Sequence, residues 1–116
     1  MRRLEWLLAS IAGLVGILHV AFTAVLYQHP SLEALCFAGT GLGIMAAAVV
    51  NMVGLRASDR SSPRLIFFTN AAMVSFFASA WALMKAPQVA LGIAVFAGLA
   101  ICSALRALMA RRSDLK

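Results

Sequence analysis

The chain has 116 residues, of which 63% are hydrophobic and only 12% charged, more apolar surface than a domain of this size can hide from water. That excludes a water-soluble globular domain and points to lipid as the solvent. The formal charge of +6 does not indicate nucleic-acid binding, because its carriers flank apolar runs.

Four apolar runs follow one another, at 6–27, 34–55, 65–84 and 89–109. Each is about 20 residues, long enough to cross a ~30 Å hydrocarbon core as a helix. None alternates with the period of two that a membrane strand requires, and in lipid the backbone hydrogen bonds must close within the span. The expected fold is therefore all-α: an integral membrane four-helix bundle, a single transmembrane domain over 1–116.

The first run follows Arg2 and Arg3 and is longer than the ~7–15 apolar residues of a secretory signal, so it reads as a retained span. Glu5 beside those arginines reads as a solvated interfacial charge, and Trp6 as an interfacial aromatic. At 100° per residue, Ala12, Gly16, His19, Thr23 and Leu26 fall on one side, with Tyr27 at its edge. The turn "YQHPSLE" holds His29, read as a solvated loop residue, and Glu33, read as a helix-start charge.

In the second run Gly39 and Gly43 form a GxxxG pattern that Ala47 continues, a seam for packing within the monomer or for a dimer. Thr40 and Asn51 face the same way, being about three helical turns apart. The loop "RASDRSSPR" is polar and rich in breakers. In the third run Asn70, Phe77 and Trp81 share a face, while the small residues Ala71, Ser75 and Ser79 lie largely behind it. After the turn "KAPQ", the fourth run ends among Arg106, Arg111, Arg112 and Lys116.

Orientation is read from the basic residues. Arg2, Arg3, Arg56, Arg60, Arg64, Arg106, Arg111, Arg112 and Lys116 fall on one side, and only Lys85 on the other. Positive charge resists translocation, so both termini and the middle loop are expected in the cytoplasm, with two outer hairpins, in the inner (plasma) membrane. The same arginines suit anionic headgroups. Cys36 and Cys102 differ in depth by roughly 18 Å, beyond the ~7 Å reach of a disulfide, and read as free thiols.

Polar groups inside the spans carry the functional reading, since each is costly without a partner. Asn51 and Asn70 both sit roughly 8 Å inside the cytoplasmic boundary, and two amides satisfy each other as interhelical glue. His19 lies about 12 Å from the outer boundary. An outer-half cluster of His19, Thr23, Tyr27, Thr40, Phe77 and Trp81 is expected between spans one, two and three. The imidazole there either holds a hydroxyl or a carbonyl as a packing group, or contacts a ligand or takes part in proton-linked work. Trp81 also suits the interfacial aromatic belt, which would remove it from the cluster.

Catalytic constellations are absent: no paired carboxylates within spans, no Ser-His-Asp set, no phosphate loop and no metal-ligand spacing. No enzyme, metal or cofactor is expected, and one membrane histidine cannot supply both axial ligands of a haem. In size and span count the chain is similar to the small multidrug resistance transporters, but in architecture alone. Where that family carries a glutamate in its first helix, this chain offers His19, and its charge is far more one-sided. The leading expectation is a transport or ligand-binding protein for a mainly apolar small molecule, in contact with membrane lipid. The alternative is an accessory or scaffold subunit of a larger membrane complex, and homo-oligomerisation suits either.

Overall fold

Each apolar run becomes one helix in the computed structural model, which describes residues 1–57 and 62–113. The helices are α1 (Arg2–Leu26), α2 (Leu32–Arg56), α3 (Ser62–Leu83) and α4 (Pro87–Ser113). Towards the chain termini they run past the apolar stretches into flanking charged residues, because backbone hydrogen bonding does not stop where hydrophobicity does. All four are long and apolar enough to span a membrane. Asp59 and Asp114, which the sequence alone reads as solvated charges in cytoplasmic segments, fall outside the described residues, as do the basic Arg60 and Lys116.

The turns explain the boundaries. Ser31 is extended and its hydroxyl accepts from the Ala34 amide at 3.1 Å, which caps α2, with Glu33 in the first turn. Pro87 opens α4, where its missing N–H leaves no bond unmade. The connections over 27–31 and 84–86 are short, so α1–α2 and α3–α4 are hairpins. Their two turns define the hairpin end of the bundle; the opposite end, carrying both chain termini, is the terminal end.

Packing is cyclic. α1 meets α2, α2 meets α3, α3 meets α4 and α4 meets α1, while the diagonal pairs stay apart among the described residues. Every helix turns a seam with alternating spacings of three and four towards the axis. In α1 it is Glu5, Ala9, Ala12, Gly16, His19; in α2, Ala34, Phe37, Gly41, Ile44, Ala48, Asn51, Leu55. In α3 it is Ile66, Asn70, Met73, Phe77, Ala80, and in α4 Val89, Gly92, Phe96, Leu99, Ser103, Arg106. A period of about 3.5 is the signature of left-handed, coiled-coil-like packing. The bundle is drawn out to 60 × 27 × 20 Å.

Of the two roles expected for the Gly39–Gly43 seam, packing within the monomer is corrected. A methyl added at Gly39 or Gly43 would meet nothing within 4 Å, and both face outward, whereas Ala47 is buried. The close approach is at Gly16 and Gly41 instead. A methyl on Gly41 would lie 2.9 Å from the Gly16 carbonyl oxygen and 2.8 Å from His19 Cβ. Gly39 and Gly43 are each two residues from Gly41, about 200° around the helix, and so present the opposite face. The small residues of α3 behave likewise: Ser75 and Ser79 are exposed and donate back to the Ala71 and Ser75 carbonyls.

Candidate functional site

The hairpin end encloses a cavity of about 320 Å³. Backbone contact at Gly16–Gly41 sets His19 against α2, and one turn on its ring stacks on Phe37 at 4.5 Å and 16°. Tyr27 tilts over the same phenyl ring at 5.9 Å. His19, Tyr27, Thr40 and Phe77 all line the cavity, as do Phe37 and Phe76. A smaller void of about 20 Å³ continues along the axis beside Ile44 and Phe96, and His19 borders both spaces.

Three features differ from the sequence reading. Trp81 does not line the cavity and is 36% exposed. The inward line of α3 runs Phe77, Ala80, Met84, which leaves the indole one position off the seam, towards the exterior. Thr23 does not line the cavity either; its hydroxyl donates to the His19 carbonyl at 2.9 Å. Thr40 lines it but donates to the Cys36 carbonyl at 2.9 Å, so both hydroxyl protons are committed to their own helices. Finally, α4 belongs to the site, because Gln88 and Val89 complete the wall.

Phe77 shows why all four helices converge. Its ring stacks on Phe96 at 5.8 Å and 19°, and a methyl on Gly92 would lie 2.7 Å from it. Gly92 is thus the gap into which α3 inserts its phenyl ring. Glu33 in the first turn of α2 also lines the cavity, a carboxylate at the rim of an otherwise neutral lining. No described residue hydrogen-bonds the imidazole of His19, which is held by stacking and backbone packing alone.

At the terminal end polar groups join the two hairpins. Asn51 and Asn70, both fully buried, exchange amide-to-carbonyl hydrogen bonds of 2.9 Å in each direction. Asn51 also donates to the Ala47 carbonyl at 2.8 Å. On the other side of the bundle Arg106 Nη2 lies 3.2 Å from Glu5 Oε2. This corrects the reading of Glu5 as solvated: it is 1% exposed, on the α1 seam opposite the α4 seam that carries Arg106. Glu5 Oε1 and Arg106 Nε have no hydrogen-bond partner among the described residues. Arg2 donates to the Leu55 carbonyl, and the Arg56 guanidinium lies 5.3 Å over the Trp6 ring.

Cys36 is exposed and Cys102 buried, and both are free. Among the described residues no group of His, Cys, Asp and Glu is arranged to hold a metal ion. Comparison with protein-family models, curated proteins and solved structures finds no match.

Proposed function

We propose that this chain is a small multi-pass protein of the inner membrane that takes a mainly apolar small molecule into the hairpin-end cavity, for transport or sequestration. The supporting observation is the cavity itself: about 320 Å³, walled mostly by aromatic and aliphatic side chains, with a few polar groups from different helices. Its volume falls in the ~300–1,000 Å³ range of ligand pockets. His19 orients the guest, since its imidazole borders the cavity without a hydrogen-bond partner among the described residues. The one-sided basic residues support a cytoplasmic terminal end, which would leave the cavity in the outer half of the bilayer.

The test is native mass spectrometry of the chain purified from membranes. Wild type should retain a bound small molecule, and His19→Ala should lose it with helicity unchanged. A bare wild-type mass, or equal retention by both proteins, would sink the reading.

A second reading, an accessory subunit or homo-oligomer, rests on a separate feature. Gly39 and Gly43 border an external groove of about 390 Å³ with Met73 and Phe76, which suits close approach of another helix. Co-purification of a stoichiometric partner in mild detergent would favour it.

A further inference from the structure

The terminal end carries a second recess, on the outside of the bundle and far from the cavity. Between the start of α3 and the end of α4 lies a groove of about 370 Å³. Phe67, Phe68, Ala107 and Leu108 form apolar wall, and Arg64 and Arg111 share the lining. Arg64 is in the first turn of α3 and Arg111 in the last turn of α4, so both cations mark the helix ends. The apolar wall begins about one turn further into the apolar spans. Cationic at its end and apolar along its length, the groove matches an amphiphile lying parallel to the helices.

Charge identifies the head of that amphiphile. Arg64 and Arg111 are exposed and neither forms an ion pair with a described residue. By sequence this end carries nine basic residues against three acidic ones, and Glu5 is already engaged by Arg106. The other two, Asp59 and Asp114, lie outside the described residues and leave a large positive excess in any arrangement. The counter-charge must therefore come from outside the chain.

We propose that this groove binds one anionic phospholipid, its phosphate between the Arg64 and Arg111 guanidiniums and an acyl chain against Phe67, Phe68 and Leu108. Arginine supplies several donors in a planar fork and suits phosphate oxygens better than a point charge does. Basic pockets between helices at a membrane boundary are the usual setting for such headgroups. The proposal is independent of the cavity and its guest.

The experiment offers the delipidated full chain an equimolar mixture of phosphatidylglycerol and phosphatidylcholine with identical acyl chains, and counts adducts by native mass spectrometry. Wild type should prefer phosphatidylglycerol. The double variant Arg64→Gln/Arg111→Gln should lower that preference by roughly tenfold or more. Arg3→Gln/Arg112→Gln removes the same charge from the same end but spares the groove, and should keep the preference. Ala107→Phe keeps every charge and fills the recess, so it should reduce adducts of both lipids; it also tests the groove if the arginine variant does not fold. Absence of preference in wild type, an equal fall in both double variants, or an unaffected Ala107→Phe would each overturn the site.

Discussion

Gly41 and Gly43 show how completely the role of one residue type depends on the face it occupies. At Gly41 the α1 and α2 backbones are so close that a methyl would press on the Gly16 carbonyl oxygen, which cannot move without shifting a helix. Gly41→Ala should therefore destabilise the chain by about 1–3 kcal/mol, the usual cost of overpacking. It should also displace His19, whose Cβ is the other near neighbour. Gly43→Ala meets open space and gains helix propensity, so it should be neutral or stabilising by up to about 1 kcal/mol. Thermal unfolding of both variants in one detergent checks the contrast; equal effects would mean that the two helices are not in contact at Gly41.

At the scale of the element, four runs of about 20 apolar residues specify four helices almost without reference to one another. Rotation about each helix axis was harder to read. Residues such as Glu5, Ala9, Ala12 and Gly16 recur at spacings of four and three, a seam that fixes which face is buried. Grouping by small-residue motif selected Gly39 and Gly43 instead, because GxxxG is as compatible with an outward face as with an inward one. Trp81 stays off the cavity for a related reason: it is one position beyond seam residue Ala80, and its bulk ends at the exterior. Glu5 reads as solvated in sequence because its neighbours there are arginines, whereas its partner, Arg106, is about a hundred residues away and faces it from the α4 seam.

The asparagines were legible because their depths match and each lies on the buried seam of its helix, and they permit a quantitative test of contact between α2 and α3. Asn51→Ala or Asn70→Ala leaves one buried amide without its reciprocal partner, at a cost of about 1–3 kcal/mol. The double variant should cost less than the two singles together, with a coupling of about 1 kcal/mol. A double-mutant cycle on unfolding free energies measures that coupling, and strict additivity would show that the amides do not pair.

For the whole molecule, the two hairpins are tightly packed within themselves and more loosely docked on each other. The amide pair fastens α2 to α3 and the ion pair fastens α1 to α4, both at the terminal end, while the cavity opens at the other. Relative rocking of two rigid hairpins is the motion that transport from such a cavity would require, and these contacts are what it would have to break. The charged contact is the more consequential. Glu5→Ala would strand a largely buried guanidinium, at a cost of about 3–5 kcal/mol, whereas replacing both partners by leucine removes the desolvation penalty with the attraction and should be neutral or stabilising. Unfolding of Glu5→Ala, Arg106→Leu and Glu5→Leu/Arg106→Leu separates these cases. If the single variants are as stable as wild type, Glu5 and Arg106 are hydrated and do not hold the hairpins together. If they unfold early and the double variant recovers, the charges were kept at a cost to stability, as a contact meant to part would be.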